Sequence, residues 1–198
     1  MNKIILFAIL ALVIAGCASN KPAQEQTSPA IQTVNETPAK TFSTYNNHGF
    51  TIKYPYDWSV KPGANTNTVI FQSTTGALSV GVQDMGNNTM TLENYTAFNI
   101  DQKNKTVTDF NLIEASESTL GSNPASTIVF SGKLVQNGKE MTFTRTQIST
   151  IKDNKLYVLE YINSANANGK EITFDTDTLK QMVVSFRINE DYKPQVAL

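Results

Sequence analysis

Few side chains in this sequence could carry out acid–base, metal or nucleophilic chemistry. The 198 residues contain one cysteine, one histidine and one tryptophan. This inventory excludes a disulfide framework, a cysteine-rich metal site and any catalytic triad that needs a second histidine. An acid–base or metal role near neutral pH would fall to His48, the sole imidazole. Because His48 lies in a predicted turn, we expect it to be an exposed surface side chain without such a role.

Arg145 is the side chain best suited to bind an anion. It lies in the middle of a predicted strand, where its guanidinium could bind a carboxylate through two hydrogen bonds. A partner within the chain is also available, because counting back from the turn at Asp153-Asn154 places Arg145 opposite Ile162 and diagonal to Glu160. We therefore expect an ion pair within the sheet and keep anion binding as the alternative.

Two other sets of polar side chains have spacings that metal or catalytic sites use. Asp175 and Asp177 could bind calcium, but the acidic loop with its glycine and distant glutamate is missing. Capping of a predicted helix explains them better. Ser149 and Lys152 match a Ser-x-x-Lys pattern, but the pleat of a predicted strand directs them to opposite faces. We expect neither a metal site nor enzymatic activity.

Three aromatic side chains at alternate positions, Tyr54, Tyr56 and Trp58, could form a binding platform for a peptide or a sugar. Core packing of alternate members is the other interpretation, and Trp58 has the largest area to bury. We expect Tyr56 to be the exposed member and the binding candidate of the three.

The elements that position these residues are mainly short strands separated by turn residues. Asn137-Gly138 is the strongest hairpin signal, since both residues tolerate the positive φ of a type I′ turn. Strands are predicted over 42–45, 50–54, 69–73, 77–83, 111–119, 125–135, 140–151 and 155–162, and helices over about 92–103 and from about 175. Apolar side chains on both faces of several strands predict an α+β fold, with a central antiparallel sheet flanked by helices on both faces. A two-sheet β-sandwich is the alternative.

Composition fits one globular domain and gives no basis for nucleic-acid binding. Hydrophobic residues make up 40% of the chain and charged residues 17%, with a formal net charge of -1. This hydrophobic fraction is large enough to form a core. Binding to nucleic-acid phosphates needs clustered lysine and arginine, which a net charge of -1 gives no reason to expect.

The N-terminal residues are typical of a secretory signal. Lys3 precedes an unbroken apolar run over 4–15, which is about 18 Å long as a helix and too short to remain as a membrane span. Ile14-Ala15-Gly16-Cys17 resembles the prokaryotic lipobox. The resemblance implies cleavage after residue 16 and a diacylglycerol on Cys17, with acyl chains such as palmitate. The alternative is an ordinary signal peptide whose cysteine is incidental.

A flexible tether is predicted between the cysteine and the domain. Residues 17–41 contain three prolines among Ala, Gln, Ser and Thr, and no aromatic residue. The predicted organisation is a signal peptide over 1–16, a lipidated cysteine and tether over 17–41, a domain over 42–188 and a tail over 189–198.

Four asparagines match the N-glycosylation pattern: Asn35, Asn87, Asn94 and Asn104. Such triplets also arise by chance in a chain rich in Asn and Thr. We expect them to be unmodified in most bacteria, while an archaeal source would make glycosylation plausible.

Several short motifs occur in order along the predicted domain. Gly49-Phe50-Thr51-Ile52-Lys53-Tyr54-Pro55-Tyr56-Asp57-Trp58 looks like the opening of PsbP-type domains. The later pieces are Leu120-Gly121-Ser122-Asn123-Pro124-Ala125, Tyr157-Val158-Leu159-Glu160-Tyr161 and Val183-Val184-Ser185-Phe186. The resemblance spans roughly 42–188. It implies an antiparallel sheet with helices on both sides, a fold shared with a Ran-binding nuclear import factor.

The photosynthetic role of PsbP does not follow from this resemblance, because the tether has no counterpart of the extension that binds the photosystem. Function varies widely within one fold. We expect a lipid-anchored, extracytoplasmic and non-enzymatic accessory or scaffold that binds another envelope protein and needs no cofactor. The first alternative is a small-ligand or ion-binding lipoprotein that uses Arg145 or carboxylates. The second is a hydrolase that joins His48 to a serine and a carboxylate.

Overall fold

The computed structural model describes residues 41–189 except 66, 75, 88, 137, 138, 168 and 169. The predicted signal segment, Cys17, Asn35 and most of the predicted tail therefore lie outside the described residues. The strands and helices are β1 (Phe42–Asn47), β2 (Phe50–Pro55), β3 (Ser59–Pro62), β4 (Thr68–Gln72), β5 (Ala77–Asp84), α1 (Leu92–Thr106), β6 (Thr108–Leu120), β7 (Asn123–Gln136), β8 (Lys139–Lys152), β9 (Lys155–Ala167), β10 (Lys170–Thr173), α2 (Thr176–Ser185) and β11 (Arg187–Ile188).

The predicted strands and both predicted helices are present, with longer bounds for most. The long strands β6 to β9 each extend past their predicted ends, and α1 continues to Thr106. Three short strands, β3, β10 and β11, were not predicted. Each has four residues or fewer, which is too short for an alternating pattern to stand out.

The strands form two antiparallel sheets. The larger has the order β3-β4-β5-β9-β8-β7-β6, with β10 also beside β9, and the smaller has the order β1-β2-β11. The predicted turn between β8 and β9 is confirmed, since Asp153 and Asn154 have φ of 49° and 59°. The turn residues Asn137-Gly138 lie outside the described residues, although Gln136 and Lys139 on either side are paired.

The main hydrophobic core lies between the two sheets and α2. Phe50 and Ile52 of β2, Leu179 and Met182 of α2, and Trp58 are buried in one cluster. The core-packing interpretation of Trp58 is therefore confirmed. Because α2 spaces its apolar residues at helical intervals, one side of it faces this core.

A second hydrophobic cluster lies near the end of α1. Phe130 of β7, Phe143 of β8 and Val107, which ends α1, are buried there. The close approach depends on Gly132, where an added Cβ would lie 2.3 Å from Cγ1 of Val107. A side chain at that position would push the end of α1 away from β7.

The expected architecture is confirmed in part. The antiparallel sheet and two helices are confirmed. The prediction that helices flank both faces of one central sheet is not supported in that form, because the smaller sheet covers part of the larger sheet together with α2. The opening hairpin pairs with β11 rather than with the larger sheet, a long-range pairing that local patterns do not reveal. Within the described residues, no helix carries an apolar stretch long enough to cross a bilayer.

Candidate functional site

A partly buried group of three interacting charges lies between α1 and the larger sheet, and we name Lys103, Arg145 and Glu160 the α1 cluster. Nη1 of Arg145 donates a hydrogen bond to Oε1 of Glu160 at 2.8 Å. Nζ of Lys103 donates to Oε2 of the same carboxylate at 3.1 Å. Arg145 is only 6% exposed. The ion pair predicted between Arg145 and Glu160 is therefore confirmed.

The register of β8 against β9 produces this pair. Residues pair in one register from the turn as far as Arg145 opposite Ile162, and the pairing then shifts so that Thr144 lies opposite Ser164. Glu160 therefore lies diagonal to Arg145 on the neighbouring strand. The bulge leaves Asn163 as the extra residue of β9.

Lys103 is the member of the α1 cluster that sequence reasoning missed. Tyr95, Asn99 and Lys103 are four residues apart, so they share one face of α1. That spacing was a usable signal for a polar face toward the sheet. The sequence did not indicate which strand this face of α1 contacts, because the packing of α1 on the sheet joins residues that are distant in sequence.

Opposing effects set the ionisation of Glu160. Burial raises the pKa of its carboxyl, but the charges of Lys103 and Arg145 and their hydrogen bonds outweigh burial and hold the pKa below its ordinary value. Glu160 is therefore ionised at neutral pH. One carboxylate lies against two cations, so the α1 cluster has a net charge of about +1.

Tyr95 connects the α1 cluster to two neutral polar side chains of β8, Ser149 and Gln147. Burial raises the pKa of its hydroxyl to about 12, the charge of Glu160 adds to this shift, and hydrogen bonds with Ser149 and Gln147 oppose it. Nε2 of Gln147 donates to Oγ of Ser149 at 3.0 Å. Tyr95 stays protonated at neutral pH, so it does not act as a base toward Ser149.

Each of the two cations lies over one aromatic ring. Nζ of Lys103 lies 4.5 Å from the ring centre of Phe130, and Cζ of Arg145 lies 4.6 Å from that of Phe143. Such contacts favour cations that are partly removed from water. Two buried polar atoms nearby have no hydrogen-bond partner in the described region, Nε of Arg145 and Oδ1 of Asn163. The α1 cluster can therefore bind an ionised group or a small polar group. Its three side chains do not pair a nucleophile with a base.

The remaining predicted residues lie apart from the α1 cluster. His48 is half-buried rather than exposed, because Nδ1 of its ring lies 2.7 Å from the Tyr45 hydroxyl and its ring stacks on Tyr45. The prediction of an exposed turn histidine was wrong in that respect. The turn itself is confirmed, with φ of 55° at His48.

The two aspartates near α2 act as the capping prediction requires. Asp175 precedes the helix and its Oδ1 accepts from the backbone N–H of Thr178 at 3.1 Å. Asp177 is exposed, with Oδ1 at 4.0 Å from Nζ of Lys180. No cluster of three or more acidic, histidine or cysteine side chains suited to a metal occurs among the residues that the structure describes.

The aromatic platform does not form as a set of three. Tyr56 is 69% exposed, whereas Trp58 is buried and Tyr54 packs on Phe71 with ring centres 5.2 Å apart. The core-packing interpretation is confirmed for Trp58. A binding role for Tyr56 stays a prediction.

Three of the possible glycosylation positions can be located. Asn87 is exposed in a turn after β5, and Asn94 and Asn104 are exposed on α1. Exposure is compatible with modification and does not show it, so glycosylation stays a prediction.

The strand β6 was not identified as a candidate from the sequence, and it is the most exposed long strand. It lies at the end of the larger sheet and pairs with β7. Ile113 is 54% exposed and Leu112 is 38% exposed. Glu114 and Glu117 are exposed as well. An edge strand presents unpaired backbone groups that can pair with another chain.

The topology and the buried cores define an α+β domain of the kind that the sequence motifs indicated. The family model described as PsbP-like protein matches residues 3–187. The chain therefore belongs to the family of PsbP-like proteins. No curated protein matches the chain.

Three solved structures are similar to parts of the chain. Cyanobacterial PsbP (CyanoP) from Synechocystis sp. PCC 6803 is 17% identical with a TM-score of 0.49, over 79% of this chain and 97% of that chain. The Ran-binding protein Mog1p of Saccharomyces cerevisiae is 8% identical with a TM-score of 0.46, over 76% and 96%. A protein from Bacteroides thetaiotaomicron is 13% identical with a TM-score of 0.46, over 72% of this chain and 46% of that chain, so this chain spans about half of its length. Nothing about function follows from similarities this low.

Proposed function

We propose that this protein is a lipid-anchored, extracytoplasmic member of the PsbP-like family that acts without catalysis, as an accessory that binds another envelope protein. The anchor is the lipid on Cys17, and residues 18–41 form the tether. Two acyl chains hold a protein at a membrane far more firmly than one. The tether's composition supports a span of roughly 25–30 Å, which lifts the domain clear of the headgroups.

The exposed edge strand β6 is the observation that carries the binding role. The other chemical candidates in the described residues are dispersed: His48 lies in the β1–β2 turn, Asp175 caps α2, and Arg145 is neutralised by Glu160. A surface that offers backbone hydrogen bonds along a long strand favours protein binding over small-molecule chemistry.

We also propose that α1 and α2 lie on opposite faces of the larger sheet. Phe143 belongs to the cluster with Val107 at the end of α1, whereas Ile148, five residues further along β8, belongs to the core with α2. An odd separation along a strand places side chains on opposite faces. This arrangement leaves the end of the sheet at β6 beyond the cover of α2.

The anchor is tested by mass spectrometry of the mature protein from its native membrane. We expect an N-terminus at Cys17 that carries a diacylglycerol, and loss of the membrane-bound fraction in Cys17→Ser. Ala18→Ser is the matched control, which retains the cysteine and is expected to remain in the membrane. An unlipidated mature N-terminus elsewhere would contradict the proposal.

A second candidate function is binding of a small anion at the α1 cluster. Nε of Arg145 is buried and has no hydrogen-bond partner among the described residues, so its N–H could donate to a bound anion. A ligand that binds the native state raises the melting temperature. We expect acetate or chloride to raise it in the wild-type protein and not in Arg145→Met; equal shifts in both proteins would remove this candidate.

A further inference from the structure

We propose that the outer edge of β6 binds an extended, basic segment of an envelope protein as an added β-strand. This inference rests on the proposed accessory function and specifies the surface and the chemistry of the partner. The partner segment carries two lysines or arginines three positions apart, set against Glu114 and Glu117.

The outer edge of β6 is open over its whole length in the described region. The sheet order ends at β6, with β7 on its inner side, and no backbone hydrogen bond from another described segment reaches residues 108–120. At about 3.4 Å per residue, thirteen residues make an edge of roughly 44 Å. Backbone N–H and C=O groups on such an edge can pair with an extended chain.

The charge on β6 selects a basic partner. Its thirteen residues include Asp109, Glu114 and Glu117 and no lysine or arginine. Asp109 is used internally, because Nζ of Lys133 lies 2.9 Å from its Oδ2. Glu114 and Glu117 have no ion-pair partner among the described residues, although Oγ of Ser116 donates to Oε1 of Glu114 at 2.7 Å.

The positions of the two glutamates set the spacing in the partner. Residues three apart on a strand lie on opposite faces of the sheet, so Glu114 and Glu117 flank the edge above and below. A strand added beside β6 presents complementary charges only if its basic residues are also an odd number of positions apart. Opposite charges that face each other across strands are favourable.

A second copy of this chain fits the edge poorly. Two β6 strands paired antiparallel about the midpoint between Ala115 and Ser116 would place Glu114 of each copy opposite Glu117 of the other. Like charges directly opposite each other are destabilising. The register irregularities of β6 lie between Thr108 and Asn111 and between Leu112 and Glu114, so both glutamates belong to its regular part, 114–120.

Apolar contacts add to the backbone pairing at one point. Leu112 and Ile113 are exposed beside the irregularity. The partner segment therefore carries at least one β-branched or aliphatic side chain near its basic residues. Alternate side chains of an added strand provide specificity, while the backbone hydrogen bonds provide affinity.

The test uses the mature full-length protein in detergent micelles and a synthetic peptide, Thr-Val-Lys-Thr-Val-Lys-Thr-Val, with a matched peptide that has Glu in place of Lys. Hydrogen–deuterium exchange is followed by mass spectrometry. We expect the lysine peptide to protect residues 108–120 and the glutamate peptide to leave them unprotected. In Glu117→Lys the affinity for the lysine peptide should fall about threefold to tenfold. Glu93→Lys makes the same change of charge at an exposed position of α1. This control variant should bind the lysine peptide as tightly as the wild type does.

Three results would overturn the inference: no protection of β6, equal binding of both peptides, or protection of β6 that grows with protein concentration alone and so reports self-association. Failure of the accessory function is separate. If the protein is lipidated at Cys17 and crosslinks to an envelope protein through another surface, only the inference about β6 is wrong. If it is not membrane-anchored, the proposed function itself is wrong.

Discussion

Nη1 of Arg145 lies 2.8 Å from Oε1 of Glu160 on the neighbouring strand. This contact is the ion pair that the sequence predicted for Arg145, with anion binding as the alternative. Lys103 from α1 binds the other oxygen of the same carboxylate. Glu160 therefore links α1 to the centre of the larger sheet, and the α1 cluster is a structural element of the domain.

Removing the carboxylate from the α1 cluster should destabilise the fold. In Glu160→Gln the two cations remain close together in a partly buried site, and we expect the free energy of unfolding to fall by about 2–4 kcal/mol. Urea denaturation measures this. Glu93→Gln, at an exposed position in the first turn of the same helix, should cost less than about 1 kcal/mol, through the helix dipole alone. Equal effects of the two substitutions would contradict the role assigned to Glu160.

The Glu160 carboxylate should also make the unfolding free energy of the protein fall at acidic pH. Its folded pKa lies below the ordinary value of 4.5, so the proton binds the unfolded state more readily than the folded state. The contribution is fully present above about pH 4.5 and is lost as pH falls through the lowered pKa. The difference in unfolding free energy between the wild type and Glu160→Gln should shrink below pH 4.5. A difference that stays constant down to pH 2 would contradict this origin.

Tyr95 should make the unfolding free energy of the protein fall at alkaline pH. Because the folded pKa is about 12 and the ordinary value is 10.0, the neutral hydroxyl is favoured in the folded state. Its contribution is present below pH 10 and is lost as pH rises from 10 toward 12. Ultraviolet absorbance titration of the wild type and Tyr95→Phe should differ by one tyrosine that titrates near pH 12. If the tyrosine that Tyr95→Phe removes from the titration curve titrates near pH 10, the Tyr95 hydroxyl is not buried and this account is contradicted.

Gly132 should be intolerant of a side chain for steric reasons. An added Cβ would lie 2.3 Å from Cγ1 of Val107 and 3.2 Å from Cζ of Phe143. We expect Gly132→Ala to lower the unfolding free energy by about 2–3 kcal/mol, since overpacking forces neighbours to shift. Gly86→Ala is the comparison. Gly86 has φ of 57° and nothing within 4 Å of the added atom, so its cost should be about 1 kcal/mol, from the backbone alone. A larger cost at Gly86 would refute the steric account.

Local patterns in the sequence predicted most of the strands, because alternation and turn residues are local signals. The Asp153-Asn154 turn set the register of β8 and β9, and that register was enough to predict the contact between Arg145 and Glu160. The same register could not predict Lys103, whose position depends on how α1 packs across strands distant in sequence. The pairing of β2 with β11 was hidden for the same reason, since Arg187 and Ile188 are too few to form a pattern.

The exposed edge at β6 was also unreadable from the sequence. Thr108–Leu120 mixes apolar and acidic residues in the manner of an ordinary half-buried strand. Whether it lies at an edge depends on the order of all the strands in the sheet. Its open side became apparent only from the sheet topology.

The central claim is that the anchored domain binds an envelope protein through β6, and photocrosslinking in native membranes tests it most directly. A benzophenone amino acid replaces Ile113 in the full-length protein, and a second variant carries it at Val184, which is also exposed but lies on α2. The account predicts an adduct from position 113 whose crosslinked peptide contains two basic residues three positions apart, and none from position 184. Adducts from position 184 alone, or an adduct at 113 formed only with a second copy of the chain, would contradict it.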